Sequence, residues 1–206
     1  MYQPRVFREE RTARLHDVIE RHPFGTLVVA SAAGEIEISH VPILLDRTGA
    51  EHGRLGLHVA AANPIWKTAL AIGRATVIFG GPHAYVSASW YGTPSEQVPT
   101  WNYVVVHASG IPKKMDREQL LALLDGLVSA NESGSGDAWS TRVLHADVRD
   151  ELLQQIVGLS LDITTLEGKL KLSQNRSATD RARVIEALRA RATPDDLALV
   201  ELMSSS

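Results

Sequence analysis

The sequence predicts an α+β chain, mainly β with helices, folded as a small β-barrel with peripheral helices and two C-terminal helices. Three observations lead there. Short runs rich in β-branched residues, such as "TLVVA" (26–30) and "RATVIFGG" (74–81), recur through the first half of the chain. Strict two-residue alternation in "EIEIS" (35–39) and "KLKL" (169–172) is the period of a half-buried strand. Helical periodicity is confined to separate stretches between and after these strands, and six or seven strands in mainly antiparallel order fit a barrel.

Taken in order, the first element is a helix over about Arg11–Arg21, with Leu15, Val18 and Ile19 on one face. His22-Pro23 and Gly25 end it. "TLVVA" follows as a buried strand, and "AAGE" (32–35) turns the chain into a strand over 35–46. Pro42 within that strand predicts an edge or a bulge, because proline cannot donate to a ladder. "RLGLHVA" (54–60) is the third strand. "NPIWKTALAIG" (63–73) is a short helix, with Asn63 as cap and Pro64 at the first helical position.

"RATVIFGG" and "AYVSASWY" (84–91) read as a hairpin joined through Gly80-Gly81-Pro82-His83. "VPTWNYVVVHASGIP" (98–112) is a long strand. Asp116 caps an amphipathic helix over 116–132 that buries Leu120, Leu121, Leu124, Leu127 and Val128. "SGSGDAWS" (133–140) is a flexible surface loop. A short helix then gives way near Ile156 to a strand that runs into "KLKL". Helices over 178–191 and from Thr193-Pro194 end the chain, with Asp195 and Asp196 at the positive end of the second. The expected organisation is a barrel domain over 1–177, with the helix 116–132 inserted, and a helical extension over 178–206 packed on it.

Composition removes several functional classes. The chain has 206 residues and no cysteine, so disulfides, zinc-thiolate sites and thiol nucleophiles are excluded. A formal net charge of −3 lacks the basic surplus of a dedicated DNA-binding domain. The opening "MYQPRVFREERTARLHD" is too charged for a signal peptide, and no apolar run approaches the ~20 residues of a membrane span. A soluble cytoplasmic protein is expected. Eight histidines are scattered with no HExxH, and no GxSxG, Walker loop or GxGxxG occurs. No metal is expected, and neither a hydrolase nor a phosphate-driven motor has a motif to stand on.

Two clusters do carry chemistry. "SASWYGTPSEQVPTWNY" (87–103) concentrates aromatic rings beside polar donors, the combination that a planar heterocyclic ligand needs. The same residues equally describe a packed hairpin with its indole N–H groups satisfied locally. "KLKLSQNRS" (169–177) places Ser173, Gln174, Asn175, Arg176 and Ser177 between a strand and a helix. Amides at a helix N-terminus attract phosphate, and Lys171 and Arg176 would add charge. The alternative is an extended capping turn, with Ser177 or Thr179 as the cap and Arg176 in solvent.

Several of these segments together resemble the PaiB-like family, described as FMN-binding negative transcriptional regulators. They are "HVPILLD" (40–46), "ANPIWK" (62–67), "AYVSASWY", "VPTWNYVVVHASG" (98–110) and "EGKLKLSQNRS" (167–177). The resemblance runs from Met1 to about Leu188. Ala88 departs from it, standing where the family pattern has proline, and should alter only a turn.

The resemblance implies a flavin-binding split β-barrel, a homodimer, and FMN in a groove at the subunit interface. It assigns Asn63 and Lys67, beside Trp66, to the phosphate. It assigns Trp101 and Asn102 to the flavin ring or its edge, and Lys171, Ser173, Gln174, Asn175 and Arg176 to polar contacts. It implies a transcriptional regulator and leaves DNA as a partner that the net charge does not support. The acidic, apolar "DDLALVELM" (195–203) is unlike a recognition helix. The competing class is a flavin-dependent oxidoreductase or haem-handling enzyme on the same fold, for which His40, His58 and His107 are candidates. On balance the chain reads as a regulator rather than an enzyme, with no catalytic residue to name.

Overall fold

Period-two alternation becomes burial along each long strand, and the helices fill the intervals the sequence assigns to them. The computed structural model describes residues 1–132 and 139–205. Its elements are β1 (Arg8–Glu9), α1 (Thr12–Arg21), β2 (Phe24–Ala30), β3 (Ile36–Asp46), β4 (Arg54–Ala60), α2 (Ile65–Ile72) and β5 (Ala75–Val86). They continue with β6 (Thr100–Lys114), α3 (Arg117–Glu132), α4 (Ala146–Gln154), β7 (Ile156–Lys171), α5 (Ala178–Arg191) and α6 (Pro194–Ser204). Strands pair in the order β1-β7-β4-β3-β2-β5-β6, and β6 also pairs with β7. The predicted loop 133–140 lies, over 133–138, outside the described residues.

Two compact units make up the chain. The barrel unit holds His16–Phe79 and His107–Leu166. Within it β7 pairs with β4 (Leu57 opposite Leu159), β4 with β3 (Ile43 opposite Leu57) and β3 with β2 (Val28 opposite Ile38), all antiparallel. β2 pairs with β5, Thr26 opposite Ile78. Thr76 on β5 and Ser109 on β6 join hydroxyls at 2.8 Å, and Thr164 of β7 donates to the Ser109 carbonyl at 3.3 Å. The ring of strands therefore closes on itself.

Its inward row is apolar: Leu27, Val29, Val41, Ile43, Leu55, Leu57, Val77, Phe79, Leu159, Leu161 and Ile163 are all buried. Each such side chain contributes about 1.5–3 kcal/mol on leaving water. β3 pairs with β2 up to Pro42 and with β4 from Ile43, so Pro42 sits just before the second ladder begins. That position resolves the edge-or-bulge expectation, because the missing N–H is not needed there.

The terminal unit holds Met1–Leu15, Gly80–Val106 and Glu167–Ser206. β1 pairs with the end of β7, Glu9 opposite Gly168. Leu170, Leu172, Val104 and Val106 are buried with Val184 and Leu188 of α5 and Leu199, Val200 and Met203 of α6. The Thr193 hydroxyl accepts the Asp196 amide, and the Asp196 carboxylate accepts the Thr193 amide, a reciprocal cap that starts α6.

Two expectations are corrected. The hairpin over 74–91 is a single strand, β5, followed by a 3-10 turn at Ala88–Trp90. Neither Gly80 nor Gly81 has a positive φ, so no tight turn forms there. A Cβ on Gly81 would lie 3.0 Å from that of Val104, so this glycine serves close approach to β6 rather than reversal. On α3, Leu120, Leu123 and Leu127 form the buried stripe, while Leu121, Leu124 and Val128 are only half-buried. The helix begins with Asp116 accepting the Gln119 amide at 2.9 Å, as the cap requires. α2 starts at Ile65, one residue after Pro64, and the Asn63 side-chain Oδ1 accepts the Ile65 amide at 3.0 Å.

Candidate functional site

The ten residues expected to bind a cofactor fall into two groups, three in the barrel unit and seven in the terminal unit. In the terminal unit the junction after β7 is held by its own side chains. Gln174 spends both ends of its amide locally, accepting the Leu172 N–H at 2.7 Å and donating to the Leu170 carbonyl at 2.6 Å. Ser173 sits in the left-handed region, φ 63°. Its hydroxyl accepts from the Asn102 side-chain Nδ2 at 3.0 Å and donates to the Asn102 side-chain Oδ1 at 3.2 Å, with both residues buried. Ser177 accepts the Asp180 N–H at 3.0 Å and caps α5. The capping turn therefore exists, with Ser177 rather than Thr179 as the cap.

Around this turn the terminal unit gathers cations and rings. Lys171 donates to the Thr100 hydroxyl and the Trp101 carbonyl, each at 2.5 Å. Arg176 is not in open solvent: it donates to Gln97 and lies 4.6 Å from the Tyr91 ring centre. Lys169 rests over Tyr103 at 5.3 Å and over Tyr2 at 5.5 Å. Burial holds the Lys171 ammonium below the ordinary lysine range, and the charges of Arg176 and Lys169 add to this. A bound anion would relieve that repulsion. Asn175 is exposed.

Trp101 is 52% exposed, with Tyr85 edge-on at 6.0 Å, whereas Asn102 is 0% exposed. Neighbours on a strand point to opposite faces, so only Trp101 presents itself outward. The Tyr91 hydroxyl is buried without a hydrogen-bond partner among the described residues.

In the barrel unit, Asn63 donates to the Ser39 hydroxyl at 2.9 Å, and the Trp66 indole N–H donates to the Ala61 carbonyl at 3.1 Å. Lys67 lies 5.4 Å from the Trp66 ring centre and Lys114 lies 5.3 Å from it. Glu37 accepts from Thr68 at 2.7 Å, and its other carboxylate oxygen is buried without a partner among the described residues. Lys114, Glu37, Gln97 and Thr100 were missed in the sequence, where Tyr91 stands out only as one ring of the aromatic cluster. Gln97 and Thr100 lie inside that cluster as well, but the pairing of all three with Lys171 and Arg176 depends on contacts more than 65 residues apart along the chain.

The histidine candidates divide. His40 is exposed and lies against Phe24 and Thr26. His58 is half-buried opposite Gly158, and burial lowers its pKa. A Cβ on Gly158 would touch Leu120 and Met115, which identifies that strand face as the one covered by α3. Among the described residues no group of three or more His, Asp or Glu side chains could hold a metal, and no helix is long and apolar enough to cross a membrane.

Over residues 1–165 the chain matches the family described as "Putative FMN-binding domain". It is 32% identical over 203 residues to "Protease synthase and sporulation protein PAI 2" of Bacillus subtilis, covering 98% of this chain and 96% of that protein. Among solved structures it resembles the FAD and heme binding protein from Mycobacterium smegmatis, with a TM-score of 0.61 and 22% identity, over 85% of this chain and 78% of that one. It also resembles the flavocytochrome Anf3 from Azotobacter vinelandii, with a TM-score of 0.60 and 15% identity, over 85% and 75%. These two likenesses are ones of fold, and the fold is the split barrel with peripheral helices.

Proposed function

This chain belongs to the FMN-binding, PaiB-like family, and from that premise we propose that it is an FMN-holding transcriptional regulator that works as a homodimer in the cytoplasm. The observation that carries the flavin reading is the terminal-unit cluster: Lys169, Lys171 and Arg176 together, with the exposed Trp101 ring and a buried Tyr91 hydroxyl that has no partner among the described residues. Cations for a phosphate, an open aromatic face and an unused donor are what a phosphorylated planar heterocycle requires. When bound, FMN supplies redox chemistry that no side chain here possesses.

The assigned residues take two roles. Trp101, Lys171, Asn175 and Arg176 contact the flavin. Asn102, Ser173 and Gln174 shape the turn that carries them. In the barrel unit, Asn63, Trp66 and Lys67 are assigned to FMN as well, with Asn63 also organising the start of α2. A homodimer is supported by apolar side chains left on the β2–β3 ladder: Phe24, Ile36 and Ile38 are 68%, 58% and 59% exposed.

Direct DNA recognition by the last helix is not favoured. α6 buries Leu199, Val200 and Met203, and its Asp196 is paired to Arg191 at 2.8 Å. Any DNA contact falls to exposed arginines of α5 such as Arg183 and Arg189, or to a partner.

Absorbance of the purified protein tests the cofactor: flavin bands released by denaturation are expected, and colourless protein that refuses added FMN would refute it. A gel shift with the cognate promoter at rising salt then tests regulation by direct binding. Loss of the shifted band with salt is expected, and no band at any salt refutes direct recognition.

A further inference from the structure

We propose that the barrel unit carries a second small-molecule site, an apolar cavity between α3 and α4 that takes a single-ring aromatic carboxylate with its acid group on Arg149. α3 carries two apolar stripes. Leu120, Leu123 and Leu127 form one, a buried cluster joined by Leu44 and Met115. The other, Leu121, Leu124 and Val128, faces a cavity of about 190 Å³ whose far walls include Trp139 and Leu152.

Among the described residues, one charged group lines that cavity. Arg149 is half-buried, and its Nε–H is fully shielded yet has no hydrogen-bond partner among the described residues. No ion pair is formed by its guanidinium among those residues. Of the other polar groups on the described wall, the Thr141 hydroxyl already donates to Asp125. A shielded guanidinium N–H without an acceptor is costly, and a carboxylate offers a guanidinium two acceptors in the matching geometry.

Size selects the rest of the ligand. An apolar cavity of about 150 Å³ holds a benzene ring, whereas drug-sized ligands occupy about 300–1,000 Å³. A cavity of about 190 Å³ therefore admits one ring and its acid but not a flavin. Sugars and phosphates are disfavoured, because beside Arg149 the described wall side chains are apolar apart from Thr141 and the Trp139 indole N–H. This site stands apart from the FMN assignment and can be tested whether or not the protein is yellow.

The test is calorimetric titration of the full-length protein with benzoate, and with benzyl alcohol as a neutral analogue. Saturable one-to-one benzoate binding is expected, tighter than that of the alcohol. Arg149→Met should weaken benzoate about tenfold to hundredfold, the worth of a charge-assisted hydrogen bond, and leave the alcohol unchanged. Val128→Phe should fill the cavity and abolish both. No saturable heat with benzoate, an unaltered benzoate affinity in Arg149→Met, or benzoate binding that survives Val128→Phe would each overturn the proposal. Should a variant fail to fold, nuclear Overhauser contacts between benzoate ring protons and the Trp139 indole in the unmodified protein decide. Their presence supports the site and their absence refutes it.

Discussion

The Asn102–Ser173 pair makes a sharp thermodynamic prediction. Both side chains are buried, and they exchange two hydrogen bonds, at 3.0 and 3.2 Å. Asn102→Val extends the inward row of Val104 and Val106 but leaves the Ser173 hydroxyl buried and unpaired, a cost of about 2 kcal/mol. Ser173→Gly strands the Asn102 amide, whose remaining partner is the Met203 sulfur at 3.7 Å, again about 2 kcal/mol. Glycine at φ 63° also relieves left-handed strain of about 1 kcal/mol, so the net loss is about 1 kcal/mol. In the double variant both polar partners are gone together, and replacing a whole pair by apolar groups is nearly neutral. Additivity would give a loss of about 3 kcal/mol, whereas the pair reasoning gives about 0–1 kcal/mol. Urea denaturation of the four proteins measures the coupling, and Asn102→Val alone should lower the melting temperature by about 4–8 °C. Losses that add to within about 0.5 kcal/mol would refute the reasoning.

Three further outcomes can be checked. Arg191, and then Thr193, hold the Asp196 carboxyl down at about 2, below its ordinary 3.8. Its folded pKa is depressed, so the stabilisation of about 2 kcal/mol is complete above the unfolded pKa and drains away as pH falls from about 4 to 2; Asp196→Asn should remove that slope from acid-unfolding curves. Gly110→Ala would put a Cβ 2.1 Å from the Asp162 carbonyl oxygen on the paired strand, so a loss of at least about 3 kcal/mol is expected, and an unchanged melting temperature would show that β6 and β7 are not so close. Arg176→Glu should weaken FMN uptake at least about tenfold by equilibrium titration, while Ser177→Ala should cost about 1 kcal/mol of stability through α5 and leave FMN affinity unchanged; equal FMN affinity in the charge-reversed protein would remove Arg176 from the site.

What could be read in advance follows from which forces are local. Strand and helix positions were legible because burial repeats every two residues or every 3.6, and a chain of 206 residues shows that repeat directly. The false hairpin over 74–91 shows the limit. Gly-Gly-Pro-His has the composition of a turn, but its backbone never enters the left-handed region, and what Gly81 accommodates is the body of β6. That is a tertiary fact with no local signature. The α3 stripe went astray for a related reason: its apolar residues cover more than one face, and only the neighbours decide which face meets the barrel and which lines a cavity.

For the site, the same periodicity held information that composition obscured. Trp101 and Asn102 read as one ligand-binding pair because both suit a flavin, yet strand parity places them on opposite faces, with Asn102 in register with Val104 and Val106. Parity also places Lys169 and Lys171 together, away from Leu170 and Leu172. Among the strand residues, ligand contacts should therefore be sought at Trp101, Lys169 and Lys171, beside Asn175 and Arg176 of the turn, and on the proposed reading the buried Asn102 belongs to the framework that fixes that turn. It follows that Asn102→Val should lower stability before it lowers FMN affinity, whereas Trp101→Ala, at an exposed ring, should do the reverse. If both variants lose affinity equally while the melting temperature of Asn102→Val is unchanged, the buried amide reaches the ligand after all and the parity argument fails.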